Sequence, residues 1–368
     1  MGPLTTPAAR TFVAPARYVQ GPGVVDSLGE LVSRRWGSAA VLVDAQLADT
    51  VGRRVMAALG AAGVGTEFAT AEGEVTPARI AALADDARPG QPEVVIAVGG
   101  GKVLDQGKGV SRLLGVPVVT VPTIASNDGP ASRVIAMYDD DHRLVETPHL
   151  LANPELVVVD TEVIAAAPAR FLQSGIADAL AKKFEADACR RAGGRNSHGQ
   201  SALVLPAIIA DGCYKELLEH GGAALAGDQD ALERVVEAAV LMSGLAFENG
   251  GLSLAHAMTR GFMACPGADA HLHGFHVAYG LLVQLAHEAE PEYEVVRSFL
   301  ADTGLPCSLH ALDASTDDST RQALAQSVLD SPHHGNCDPR PTLTSVIAAI
   351  DKVEHDASVG PRGDERSA

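Results

Sequence analysis

Several things this chain of 368 residues lacks narrow its function before any motif is read. Cys189, Cys213, Cys265, Cys307 and Cys337 are odd in number and widely spaced, with no CxxC pair among them. That pattern argues against a disulfide framework and against a thiolate zinc cluster, so reduced thiols are expected. No apolar stretch reaches the roughly 18 residues of a membrane span, and the Pro/Ala-rich segment from Met1 to Arg17 lacks the apolar core of a signal peptide. A cytoplasmic location is expected. Basic residues are scarce, 28 against 46 acidic for a net charge of -18, with no Lys/Arg cluster. Neither nucleic acid nor an anionic membrane is therefore an expected partner, since both need a positive stripe. The charge reads as a soluble acidic surface.

Hydrophobic residues make up 46% and charged residues 20%, a globular composition. The length favours two domains, each with a sizeable core. Ala39 to Val43, Val94 to Val98, Val116 to Val121 and Leu156 to Val159 are β-branched runs bounded by Asp, Gly or Pro, as buried parallel strands are. Leu47 to Ala62, Thr76 to Ala87 and Val103 to Leu114 repeat apolar residues at three- and four-residue spacing and read as crossover helices. The expectation is a Rossmann-like, doubly wound α/β domain over residues 1–164. An all-α domain should follow over 165–368, with helices at Phe171 to Arg191, Gln200 to His220, Asp230 to Phe247, Leu252 to Phe262, Gly274 to His287, Glu292 to Thr303 and Thr342 to Lys352. Asp313 to Thr320 reads as a loop and 355–368 as a frayed tail.

EVVIAVGGGK, from Glu93 to Lys102, is a strand running into three glycines and then a helix. Glycines there let backbone N–H groups approach a pyrophosphate, and the helix terminus adds partial positive charge. The same turn also occurs as a plain connection. The first strand ends at Asp44 with no GxGxxG after it, so the usual dinucleotide fingerprint is missing. Asp44 could still accept ribose hydroxyls and repel a 2′-phosphate, which favours NAD over NADP, or it could simply cap a helix. VPTIASND, from Val121 to Asp128, with Ser132 after it, lies at another strand's carboxyl end, where ligands collect in such sheets. Thr123, Ser126 and Ser132 are candidate cofactor contacts and Asp128 a candidate substrate contact; each could instead cap a turn.

Asp178 stands near the start of an apolar helix, His256 within another and His273 at the head of a third. One carboxylate oxygen and two imidazole nitrogens would leave positions open on a catalytic metal. The spacing itself does not separate that reading from two core histidines. Lys182, one turn after Asp178, reads as a solvated side chain, with a phosphate or carboxylate contact as the alternative.

The ordered motifs PARYVQGPG (Pro15 to Gly23), GGGK with Asp105, VPTIAS with Asp128, NPELVVVDT (Asn153 to Thr161), SGIADALA with Asp178, SGLAFENGGLSLAHA with His256 and HGFHVAYG with His273 resemble the glycerol dehydrogenase branch of the iron-containing alcohol dehydrogenase superfamily. The likeness runs from about Pro15 to about Lys352. It implies the dehydroquinate synthase-like fold, with NAD and a divalent metal meeting in a cleft between the two domains. Zinc is favoured over iron, with Asp178, His256 and His273 as ligands. It also implies cofactor contacts at Asp44, Gly100, Gly101, Lys102, Asp105, Thr123, Ser126, Ser132 and Tyr138, a substrate-side carboxylate at Asp128, and a homo-oligomer from dimer to octamer.

The reaction so implied joins a secondary alcohol (polyol, diol or amino-alcohol) and its ketone by hydride transfer. The chain departs from the pattern at HGFHVA, where HGEKVA is usual, at Met263 to Leu272 before it, and at Asn127, where a small Thr is common. His276 becomes a candidate proton relay and catalytic residue, or a fourth ligand, and His271 a second extra imidazole. These departures motivate a tailoring dehydrogenase acting on an aminocyclitol, amino-alcohol or peptide-borne hydroxyl as an alternative. A sugar-phosphate cyclase resembling 3-dehydroquinate synthase is a lesser one, requiring several basic residues to grip phosphate.

Overall fold

The computed structural model describes residues 9–139 and 144–359. They divide into two compact units: Val13–Leu172 with Gly227–Gly244 form the first, and Gln173–Ala226 with the chain from Leu245 onward form the second. The first unit thus takes back a stretch of helix from beyond residue 164, near which the sequence places the domain boundary.

The first unit is built on six parallel strands: β1 (Tyr18–Gly21), β2 (Ser38–Asp44), β3 (Gly65–Ala71), β4 (Val94–Gly99), β5 (Val118–Pro122) and, after a short antiparallel pair β6 (Met137–Tyr138) and β7 (Leu144–Glu146), β8 (Leu156–Asp160). Their order across the sheet is β1-β8-β5-β4-β2-β3. The four strands expected from the sequence are the four inner ones. β1 and β3 lie at the two edges, where one neighbour suffices; β3 reads GTEFATA and is largely exposed, so no apolar run announces it.

Alternate residues of the inner strands feed two cores, because successive side chains leave a strand on opposite faces. Val41, Val43, Ile96 and Val98 pack with Leu28 of α1 (Leu28–Ser33) and with Val55 and Leu59 of α2 (Arg53–Ala61). Ala40, Leu42 and Val95 pack with Ile80 and Leu83 of α3 (Pro77–Ala87) and with Val103 and Val110 of α4 (Gly101–Leu114). Thr76 caps α3 by accepting from Arg79 N at 3.2 Å, with Pro77 in the first turn. The sheet is covered on both faces, as the doubly wound reading requires.

α5 (Thr161–Ala165) leads to the helices α6 (Ala169–Arg191), α7 (Leu205–Leu225), α8 (Gln229–Val236), α9 (Ser243–Gly250), α10 (Leu254–Met263), α11 (His273–Glu288), α12 (Tyr293–Asp302), α13 (Asp318–Asp330) and α14 (Leu343–Val359). A π turn over Glu237–Met242 joins α8 to α9, where the sequence predicts one uniform helix. Three other differences stand out. No periodic signal predicts α13; it buries only Leu324, Ala325 and Val328 among Ser, Thr, Gln and Asp, too sparse a stripe to show a period. Its start at Asp318 also shortens the loop expected over Asp313 to Thr320. The last helix continues to Val359 instead of fraying from His355; 360–368 lie outside the described residues.

Gly107 sets how closely α4 approaches the sheet, since a Cβ there would stand 2.4 Å from Ala97 Cβ on β4. Helix propensity alone would make Gly107→Ala stabilising by about 1 kcal/mol, whereas overpacking a tight core costs about 1–3 kcal/mol. The expected outcome is a lower thermal midpoint for Gly107→Ala; a higher one would show that α4 can slide.

Candidate active site

Three helices of the second unit deliver the predicted ligands. Asp178 lies on α6, His256 is the third residue of α10 and His273 the first of α11. Glycines allow the helices this close. A Cβ on Gly274 would fall 1.9 Å from Ser174 O of α6, and one on Gly280 would fall 2.6 Å from Ala255 O of α10. Ser174 Oγ also accepts Gly274 N at 3.1 Å, pinning the head of α11 beside Asp178.

Asp178, His256 and His273 present one donor atom each, all within 4.8 Å of one another. His256 Nε2 stands 3.0 Å and His273 Nε2 3.8 Å from Asp178 Oδ1. Behind His256 lies Glu185, fully buried on α6. Its Oε2 is 2.6 Å from His256 Nδ1, while Oε1 accepts Ser253 N at 2.9 Å and His256 N at 3.0 Å. One carboxylate therefore caps α10 and fixes the His256 ring with Nε2 toward Asp178.

Lys182 is 2% exposed, contrary to the solvated reading. Its Nζ donates to Asp178 Oδ1 at 2.6 Å and lies 3.2 Å from His256 Nε2. Burial opposes charge on Asp178, Glu185 and His256, but pairing outweighs it, whereas on His273 desolvation prevails and lowers the imidazole to about 3. Lys182, then His256 and His273, hold Asp178 well below the usual carboxylate range, and Glu185 is lowered by His256 and Lys182. Against the opposition of burial and Lys182, the two carboxylates raise His256 to about 9.

Asp178, Lys182 and Glu185 are spaced i, i+4, i+7 and so share one face of α6. That spacing of charges on an apolar helix was the sequence signal by which Glu185, which the motif reading missed, could have been found.

His276 is held against the segment that precedes α11. It is 3% exposed, its Nε2 is 2.7 Å from Ala268 O, and its ring stacks on Phe262 with centroids 5.2 Å apart. Burial lowers its pKa, and its Nε2 donates to the Ala268 carbonyl. In this arrangement His276 anchors the segment that replaces the usual approach to α11, with its Nε2 turned to a carbonyl and away from a ligand role. His271 Nε2 meets Asp313 Oδ2 at 2.9 Å and is a second anchor of that segment.

In the first unit, the other predicted residues gather at the carboxyl ends of adjacent strands. Gly100 precedes α4 with no side chain capping the helix, so its first amides are available to an anion. The turn is tight, since a Cβ on Gly100 would come 2.9 Å from Ile124 Cδ1. Gly101 starts the helix itself, and Thr123 N donates to Gly99 O at 3.1 Å across the strand ends. Asp44 ends β2 and accepts Gln46 N at 2.9 Å, the capping role, with its carboxylate still half exposed. Ser126 is half-buried and Ser132 buried, its Oγ accepting Val134 N at 3.0 Å.

Asp105 spends both oxygens inside the fold: Oδ1 pairs with buried Lys108 at 2.9 Å and Oδ2 accepts Ala136 N at 3.0 Å. Lys108 in turn donates to Gly129 O and Val134 O at 2.7 and 2.9 Å, so the pair shapes the loop after β5. Lys102 pairs with Glu74. Tyr138 N donates to Val75 O at 2.9 Å, and burial, then Asp105 and Glu74, push its phenol up to about 12. Asp128 is 8% exposed and its Oδ2 accepts Ser243 Oγ at 2.9 Å.

Comparison with known proteins points the same way. Residues 19–168 match the family model for iron-containing alcohol dehydrogenase. Glycerol dehydrogenase of Escherichia coli O6:H1 (strain CFT073) is 40% identical over 84% of this chain and 86% of its own. The chain belongs to the iron-containing alcohol dehydrogenase family. This dehydrogenase is an oxidoreductase acting on CH–OH donors, of the glycerol dehydrogenase-like branch, as its motifs suggested. Glycolaldehyde reductase of Halobacterium salinarum is 37% identical over 81% of this chain and 84% of its own. The crystal structure of glycerol dehydrogenase from Schizosaccharomyces pombe, 30% identical, superposes with a TM-score of 0.89 over 96% of this chain and 92% of that one. The α/β domain and helical region expected for the fold are both present.

Two outcomes test these roles. Glu185→Gln should weaken binding of added zinc by about 10- to 100-fold, read by titration against a chromogenic chelator; unchanged affinity would show that the ring needs no carboxylate behind it. His276→Phe leaves the Ala268 carbonyl without this donor, a cost of about 1–3 kcal/mol. It should lower the melting temperature while leaving kcat within a few-fold, and a collapse of kcat in a stable variant would restore the relay.

Proposed function

We propose that the chain is a metal-dependent, NAD(H)-linked dehydrogenase interconverting a secondary alcohol, a polyol, diol or amino-alcohol, and its ketone. The convergence of Asp178, His256 and His273, with Glu185 behind the middle ligand, carries this reading. One carboxylate oxygen and two imidazole nitrogens suit a divalent ion with positions left open, and zinc is the metal favoured. Held there, the ion would stabilise negative charge on the alcohol oxygen while NAD accepted the hydride.

The chain's own residues supply orientation. The uncapped amides at Gly100, Gly101 and Lys102 suit a pyrophosphate at the head of a 14-residue helix. Asp44 at the end of β2 suits ribose hydroxyls and disfavours a 2′-phosphate. Thr123, Ser126, Ser132 and Tyr138 complete the proposed cofactor surface; Asp105, with both oxygens engaged, acts on it by shaping the loop. Asp128 is the proposed contact for a substrate hydroxyl, its free rotation removed by the bond from Ser243.

The enzyme is read as cytoplasmic and homo-oligomeric. Five free cysteines suit a reducing compartment, and among the described residues no single helix is long and apolar enough to cross a membrane. Val204 and Ile208, 70% and 63% exposed at the start of α7, offer apolar surface of the kind copies of a chain cover.

Metal analysis of the purified protein, coupled to an NAD-reduction screen over vicinal diols, amino-alcohols and cyclitols, tests the reading. About one divalent ion per chain and turnover of at least one secondary alcohol are expected. Asp178→Asn should lose both while keeping its fold; an active, metal-free Asp178→Asn protein would sink the assignment. The cyclitol and amino-alcohol arms report whether the replaced segment from Met263 to Leu272 has changed the substrate.

A further inference from the structure

Lys182 is the one member of the ligand cluster with no part in the metal-site reading, and a role for it rests on that reading. The side chain is almost wholly buried, and its ammonium is committed to the two atoms that an ion would coordinate, 2.6 Å from Asp178 Oδ1 and 3.2 Å from His256 Nε2. Those two atoms are themselves 3.0 Å apart. An ion placed about 2.1 Å from both would leave the ammonium at most about 4 Å away on whichever side of the pair it sat. Like charges that close, in a site this dry, repel strongly.

Charge counting leads to the same place. Asp178 and Glu185 are the carboxylates that face Lys182 and His256, and one divalent ion neutralises both. A lysine ammonium beside that ion is surplus positive charge. The four-carbon stem of lysine allows the head to withdraw by rotamer change, at the cost of its buried contacts to Asp178 and His256.

We propose that Lys182 is an internal competitor for the catalytic metal: its ammonium holds the donor pair of Asp178 and His256, and must withdraw before a divalent ion can load. Metal affinity is then the intrinsic affinity of the three-ligand site reduced by the fraction of molecules in which Lys182 stands aside. The dehydrogenase would accordingly hold its ion less tightly than an otherwise identical site without the lysine, making activity responsive to the free metal concentration.

The test uses the full chain stripped with a chelator and titrated with zinc chloride alone against a chromogenic competitor. Lys182→Gln and Lys182→Met should each bind zinc at least tenfold more tightly than the parent, whereas Lys182→Arg, which keeps the cation, should not gain. Melting without and with zinc gives a second readout, because removing the lysine leaves a buried carboxylate uncompensated. The neutral variants should melt below the parent when stripped and gain more on zinc addition; a neutral variant that folds only when zinc is supplied counts as the same result in stronger form.

Equal or weaker zinc affinity in both neutral variants, or variants that zinc fails to restore, would overturn the proposal. A parent that binds zinc no better than Asp178→Asn would instead overturn the metal site itself.

Discussion

Everything in the second unit that bears on chemistry depends on how one buried carboxylate is satisfied. Glu185 gives one oxygen to the backbone at the start of α10 and the other to the His256 ring, so the position of a helix and the orientation of a ligand share a single anchor. A carboxylate this buried is tolerable only because each oxygen has a donor and a positive charge lies close. The same logic runs along the face of α6. Asp178, Lys182 and Glu185 compensate one another with His256, which lets ionised groups persist where apolar side chains would otherwise pack.

Small residues do the complementary work. Gly274 and Gly280 bring α11 against α6 and α10 at distances no side chain would permit, and Gly107 does the same for α4 on the sheet. In the first unit the consequence is an uncapped helix start beside the ends of three strands. There the Asp105 to Lys108 pair is spent on shaping the loop that carries Ser126 and Asp128. Both charges of that pair are engaged within the fold, where they fix the backbone of the loop at Gly129, Val134 and Ala136.

The parts of this molecule that are legible in the sequence share a cause. β2, β4, β5 and β8 are the inner, buried strands, so their side chains are largely apolar, and a run of valines announces them. β1 and β3 sit at the edges, carry polar residues and leave no such trace. α13 buries three side chains and is equally silent. His276 illustrates the opposite case, a residue whose surroundings the sequence leaves open. One turn from His273 on the same helix, it invites a role in the site, yet helix geometry fixes only its starting direction, and the carbonyl of Ala268 and the ring of Phe262 decide where it ends.

Sequence by itself determined the class of this protein. Apolar residues at three- and four-residue spacing, continuous β-branched runs, the glycine turn after an apolar strand and the ordered motifs around Asp178, His256 and His273 are properties of local order along the chain. What only the tertiary structure decided was the partnership of charges. Whether Lys182 lies in water or against Asp178, and whether His276 faces a ligand or a carbonyl, depends on groups far apart in sequence that packing brings within hydrogen-bond distance. In a buried site such contacts, not residue identity, set what each ionisable group can do.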